Sequence, residues 1–319
     1  MKSEADRQSR TSRDPAFLIV GTPRSGTTLI QRLACSLEGV RVPPETHYRS
    51  FVKSHLRNRA FPLDEAALRE TLESYASRKT AKGLSLDVDA VVRDMGRRCE
   101  DPWQLFAALI RQFAGPADVY GEKTPEHVRW WRPMTTHFPA LRLVVVVREP
   151  RAVVASNLEV PFGPTSHYVL AERWRVDQRS ALAARDALGE ERCLVLRYED
   201  VVADPDAARV RIASLLAVDP AAHAAVEAAH MHHGWEWWKA RASESITTDR
   251  IEAWRDVLTT SQAADIAAIC RPQMRAFGYD APGAMAAGLR QVGFPVREQR
   301  RRLRHRRDVR RELAWAERL

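Results

Sequence analysis

A three-layer α/β fold, a parallel sheet flanked by helices, follows from three runs of this sequence. Phe17-Leu18-Ile19-Val20 is a short apolar run that stops at Gly21. A turn containing Gly, Pro and Ser then gives way to Thr27-Thr28-Leu29-Ile30-Gln31-Arg32-Leu33-Ala34, so the segment reads strand, tight loop, helix. Leu141-Arg142-Leu143-Val144-Val145-Val146-Val147 is β-branched and apolar on both faces, as a central strand buried between helices must be. Cys193-Leu194-Val195-Leu196-Arg197-Tyr198 is a further strand, which runs through Glu199-Asp200 into an alanine-rich stretch from Pro205 to Leu216. Strands that alternate with helices pair in parallel.

The intervening segments fill in the order. Residues 65–114 mix acids, bases and apolar residues at helical spacing, with Pro102 opening a new segment at Trp103, and predict two or three helices capping the sheet. After the 141–147 strand, Arg148-Glu149-Pro150 breaks the extended chain, and Pro150 suits the first turn of a helix over Arg151–Leu158. One domain is expected over residues 15–283, with a helical cap region at 50–118 inside it and an arginine-rich tail at 284–319.

At 319 residues and 45% hydrophobic content the chain can bury a proper core. Cys35, Cys99, Cys193 and Cys270 are scattered, which suggests neither a zinc site nor a disulfide framework and fits a reduced cytoplasm. The first residues are charged, and no window approaches the roughly 20 apolar residues of a membrane span. The net charge of +9 hints at nucleic acid until it is located. Residues 296–319 hold ten arginines against four acids, or +6, which leaves +3 for the other 295 residues. Basic and aromatic residues are not interleaved as nucleic-acid binding requires, so no nucleic-acid partner is expected.

A strand feeding a glycine-bounded loop into a helix N-terminus presents backbone N–H groups and the helix dipole to one anion. Gly21 and Gly26 have the spacing of the nucleotide-binding P-loop, G-x-x-x-x-G-K-[ST], but the lysine position is Thr27. The acid that would hold magnesium at a neighbouring strand end is replaced by Arg148. Both departures substitute direct cationic contact for metal chemistry, and no metal is expected. An arginine at a strand end and a serine on the next helix, Arg148 and Ser156, can converge on one dianion.

Phe17 through Thr28, Arg148 with Ser156, and Thr247 through Trp254 resemble the sulfotransferases that use 3′-phosphoadenosine 5′-phosphosulfate (PAPS). The resemblance implies a P-loop-like sulfotransferase fold over most of residues 15–283. It implies a 5′-phosphosulfate site at Arg24, Ser25, Gly26, Thr27 and Thr28, and a 3′-phosphate site at Arg148 and Ser156. Ser245-Ile246-Thr247-Thr248-Asp249-Arg250-Ile251-Glu252-Ala253-Trp254 resembles the family's late S-x-R-x-x-x-W segment, which implies a further phosphate contact at Arg250 and places Trp254 either near the adenine or in the core. In Pro43-Pro44-Glu45-Thr46-His47-Tyr48, Glu45 resembles the family's base, with His47 as the rival; a histidine needs less tuning to act near neutrality. Gly121-Glu122-Lys123-Thr124-Pro125 looks like the family's E-K-[ST]-P turn, whose lysine would bracket the donor with Arg24.

The acceptor is expected to be a hydroxylated small molecule, glycan or lipid. An ATP-dependent kinase and a non-catalytic nucleotide binder remain the alternatives. His232 and His233 beside Trp235, Trp237 and Trp238 read as core or as a pocket wall, since acids for metal coordination are absent. In the tail the leucines and valines are too sparse for a buried face, which predicts a solvated helix or loose arm; contact with an anionic membrane or acidic partner is the sharper reading.

Overall fold

The computed structural model describes residues 14–78, 81, 84–160, 164–224 and 247–317. Its centre is a five-stranded sheet in the order β2-β3-β1-β4-β5, parallel throughout. The strands are β1 (Phe17–Gly21), β2 (Val40–Arg41), β3 (Val119–Lys123), β4 (Arg142–Val147) and β5 (Cys193–Arg197). The side chains of β1 alternate between two cores. Leu18 and Val20 join a large cluster on one face, whereas Phe17 and Ile19 join a smaller one on the other. All four are wholly buried, and each contributes roughly 2 kcal/mol of transfer free energy.

Helix α1 (Thr27–Cys35) follows β1 and packs on the smaller core with the later α10 (Pro205–Leu216). The other face carries most of the helical mass. It starts with α2 (Tyr48–Phe51), which continues as a π-turn over Val52–Leu56, and then α3 (Glu65–Ala76), α4 (Val88–Asp94) and α5 (Pro102–Ala114). Asp64, Asp87 and Asp101 cap these last three through their side chains. A 3₁₀ turn (Pro125–Trp130) leads to α6 (Trp131–His137). Next come α7 (Pro150–Leu158), the long α8 (His167–Leu188) and the short α9 (Tyr198–Ala203). Beyond α10 stand α11 (Trp254–Val257), α12 (Thr260–Ala276), α13 (Ala284–Val292) and α14 (Val296–Ala316).

Two strands escape the sequence pattern. β2 is only two residues long, and β3 contains Gly121-Glu122-Lys123, poor strand formers on intrinsic propensity. The expected turn at Glu122-Lys123 is therefore corrected to strand. Gly121 is required there because a Cβ would sit 2.4 Å from the ring of Phe17.

The tail, expected as a solvated helix or loose arm, is a helix, but one docked on the body. Helix α14 buries Val309 and Ala316 and rests Leu313 and Trp315 on the core, but most of its inward face is an ionic seam, which counting leucines missed. Glu172 on α8 is wholly buried and accepts from Arg306 (2.6 and 2.8 Å), Arg302 (3.3 Å) and Arg175 (2.6 Å). Burial pushes its carboxyl up, but hydrogen bonds from Arg306 and Arg175 prevail and hold it at about 2. Farther along, buried Glu312 is gripped by Arg49 (2.6 Å), Lys53 (2.9 Å) and the indole N–H of Trp130 (2.9 Å).

Candidate active site

The carboxyl ends of β1, β3 and β4 lie side by side at the centre of the sheet, the position where open α/β sheets hold their ligands. After Gly21 the chain turns through Thr22-Pro23-Arg24-Ser25 and enters α1 at Gly26. Arg24 and Gly26 both adopt left-handed backbone conformations (φ 76° and 98°), and no acid stands in the first helical turn. At Gly26 a side chain is excluded twice over, since a Cβ would also lie 2.4 Å from the ring of Tyr198. The amide of Gln178 on α8 donates to Thr22 Oγ1 (3.1 Å), and that of Asn157 on α7 to the Pro23 carbonyl (3.2 Å). The loop is closed by its own turn bond, Ser25 N–H to the Thr22 carbonyl at 3.1 Å, and braced from outside by these two side chains.

The motifs expected at opposite ends of a donor meet on this loop. Arg24 Nε donates to Ser156 Oγ at 3.1 Å, and Arg148 Nη1 donates to the Arg24 carbonyl at 3.3 Å. Arg148 Nη2 donates to the carbonyl of Arg250 at 2.7 Å, and its guanidinium lies 4.3 Å from the centre of the Tyr198 ring. Burial pushes the Arg148 pKa down, partly offset by Tyr198 and Glu199. Two buried atoms here make no hydrogen bond, Ser25 Oγ and Arg148 Nε. Buried donors left unsatisfied cost free energy unless a ligand meets them, and donors are what a phosphate or sulfate requires. Thr27 and Thr28 open α1 directly behind Ser25, at the helix N-terminus, where their amides have no intrahelical acceptor.

A second group stands one strand over. Lys123, at the end of β3 and level with Ile19 of β1, is wholly buried and meets Glu45 Oε1 at 2.6 Å. His47 Nδ1 is 3.7 Å from the other carboxylate oxygen. The structure thus joins Glu45, Lys123 and His47 in one cluster.

The sequence did not flag what positions that cluster. Glu122, pointing to the other side of β3, accepts from the Thr46 hydroxyl (2.9 Å), the Thr124 hydroxyl (2.5 Å) and His127 Nδ1 (2.9 Å). Burial raises the Glu122 pKa, but His127 and these hydroxyls outweigh it, so the carboxyl stays below its usual range. The Tyr75 hydroxyl donates to the Thr46 carbonyl (2.7 Å), and Arg49, one residue past Tyr48, is the residue Glu312 grips. An acid next to a lysine at a strand end was the available signal for Glu122.

Among the described residues, no group of three or more His, Cys, Asp or Glu side chains is placed to hold a metal ion. Trp254 is buried, with Arg151 and Arg255 each 4.5 Å from its ring. The His232–Trp238 cluster lies outside the described residues.

The sequence from β1 to just past α10, residues 15–222, matches the model of the sulfotransferase family. The chain belongs to that family. The matched span holds the cradle, Glu45, Lys123, Arg148 and Ser156; Arg250 and α14 lie beyond it. This sulfotransferase is similar in fold to the sulfotransferase domain of the olefin synthase from Synechococcus PCC 7002, at 21% identity and a TM-score of 0.57 over 85% of this chain and 98% of that one. It is also similar to the sulfotransferase domain of the curacin biosynthetic pathway, at 17% identity and a TM-score of 0.53 over 84% and 99% of the two chains. Among curated proteins, none matches this sulfotransferase. The observed parallel sheet between helical layers is the fold the sequence predicts.

Proposed function

We propose that this sulfotransferase takes PAPS as donor and moves its sulfuryl group to a hydroxyl of a small-molecule, glycan or lipid acceptor, in a reducing cytoplasm. One observation carries the reading: Arg24, Arg148 and Ser156 converge on a loop whose Ser25 hydroxyl is buried and unsatisfied. When bound, the donor supplies an activated sulfur whose bond to the 5′-phosphate oxygen breaks as the bond to the acceptor oxygen forms. The loop amides, Ser25, Thr27, Thr28 and Arg24 hold the 5′ side, and Arg148, Ser156 and Arg250 hold the 3′-phosphate.

Glu45 accepts the acceptor's hydroxyl proton at its carboxylate, and His47 is the alternative base at the same spot. Lys123 fixes the Glu45 carboxylate by their 2.6 Å contact and, from the same place, offers protons to the departing phosphate oxygen. With Arg24 it forms a preorganised clamp, in which each donor is worth about 3 kcal/mol of transition-state stabilisation. Four free, buried cysteines suit the compartment.

The test is a thermal-shift series with PAP (the desulfated donor), PAPS, ATP and ADP, each with and without Mg²⁺. Stabilisation by PAP and PAPS independent of Mg²⁺ is expected. Stabilisation by ATP only with Mg²⁺, and none by PAP, would overturn the donor assignment.

A further inference from the structure

Of the seven large apolar side chains exposed among the described residues, five are Met285, Leu289, Val292, Val296 and Leu303. Met285, Leu289 and Val292 recur at helical spacing on α13, so they form one outward stripe. The opposite side of α13 is already committed to the body. Ala287 is buried, Arg290 meets Asp265 at 2.6 Å, and the Gln291 amide donates to the Ala268 carbonyl at 2.8 Å. Across the joint to α14, Phe294 turns inward while Val292 and Val296 remain outside.

Charge is sorted with equal strictness on α14. Seven of its nine arginines are exposed, while Arg302 and Arg306 turn in to Glu172. Arg300, Arg304, Arg307 and Arg311 form a single stripe, and with Leu303 and Asp308 they border a shallow depression of about 410 Å³. Docking of the helix does not need these outward arginines, because the inward pair makes the seam to α8 and Glu312 anchors the far end on Arg49, Lys53 and Trp130. Together they impose a concentrated positive field on one end of the molecule.

We propose that α13 and the outer face of α14 are an interfacial surface for an anionic lipid bilayer. The aliphatic residues enter the headgroup boundary while the arginines bind phosphate-bearing headgroups. Arginines alone would suit any polyanion. Their continuity at the joint with exposed aliphatic residues, and the lack of exposed aromatic rings on these helices for stacking on bases, favour lipid over nucleic acid. This inference is independent of the donor and acceptor assignments.

The experiment is co-sedimentation of the full chain with vesicles of phosphatidylcholine alone or with about 30% phosphatidylserine, an anionic surface of the kind cytoplasmic leaflets present. Binding to the anionic vesicles only, weakened by salt, is expected. Arg300→Glu/Arg304→Glu/Arg307→Glu should lower partitioning on the order of 100-fold or more, and Leu289→Ser/Val292→Ser at least about tenfold. Circular dichroism and the thermal unfolding midpoint check that each variant is folded; Met285→Ser replaces the aliphatic pair if that pair unfolds.

Equal sedimentation with both vesicle types overturns the proposal. So does full retention of binding by the aliphatic variant, which would indicate a surface for acidic polymers. If sedimentation velocity shows wild type as a dimer that the aliphatic variant converts to monomer, the stripe is a subunit interface instead.

Discussion

The loop that ends β1 and the segment that carries Glu45 sit at the same end of the sheet, yet they are held by opposite means. The loop takes its shape from backbone: two left-handed residues, a glycine pressed against Tyr198, and amides of the neighbouring helices that tie down Thr22 and Pro23. The Glu45–Lys53 segment takes its place from buried charge, with Lys123 on Glu45, Glu122 under Thr46, and Glu312 across Arg49 and Lys53. A backbone cradle keeps its shape when the site is empty, at the cost of the unpaired Ser25 and Arg148 donors, and it is specific for charge and size. A network of ion pairs is directional but fails abruptly, since removing one partner strands the other in a medium that cannot solvate it.

That contrast predicts separable failures. The largest effect is expected from Glu45→Gln, with turnover down about 10² to 10⁴-fold and PAP affinity in calorimetry unchanged. Near-normal turnover would move the base assignment to His47. Arg24→Ala should weaken both, by about 10² in turnover together with a measurable loss of PAP binding, because Arg24 belongs to the cradle.

Glu312→Gln tests the ionic half from a distance. It leaves Arg49 and Lys53 with a neutral partner and should destabilise the fold by about 3 kcal/mol, read from urea unfolding, with turnover falling more than PAP affinity. A compensating Arg49→Met/Glu312→Leu pair should recover most of the stability. If Glu312→Gln instead lowers PAP affinity as much as turnover, the two halves are not independent. Gly26→Ala, in turn, should abolish PAP stabilisation while costing roughly 1–3 kcal/mol, through its clash with Tyr198 and its φ of 98°.

The last predicted effect is confined to acid and leaves stability and turnover near neutrality untouched. Glu172 titrates at about 2 in the fold against an ordinary 4.5, so its contribution is present in full above pH 4.5 and disappears as pH falls toward 2. Unfolding free energy should drop over that window by up to about 3 kcal/mol from this group. In Glu172→Gln that part of the slope should vanish, whatever the overall stability of the variant.

The same contrast explains what could be read from the chain. Gly21, Gly26, Arg148 and Ser156 were legible because local spacing encodes them: a turn fixed by two glycines, and a strand end followed eight residues later by a serine. β4 announced itself as an unbroken β-branched run. β3 did not, because Glu122 and Lys123 are in the strand for their partners rather than for their propensity. The docking of α14 was misread because apolar periodicity is blind to a seam made of Glu172, Arg302, Arg306 and Glu312. Arg49 and Glu312 are 263 positions apart, and nothing in either neighbourhood points to the other.

That separation also imposes an order in time. During synthesis at about 5–20 residues per second, the strands and helices that frame the cradle emerge well before Glu312 does, by several seconds or more. Over that interval Arg49 and Lys53 lack the carboxylate of α14, so the nascent chain can shape its anion site before Glu312, the last anchor of the segment bearing Glu45, is in place. Maturation of the enzyme is therefore expected to be completed by one of its last helices, and a ribosome-bound chain halted at the end of α13 should retain PAP but turn over poorly.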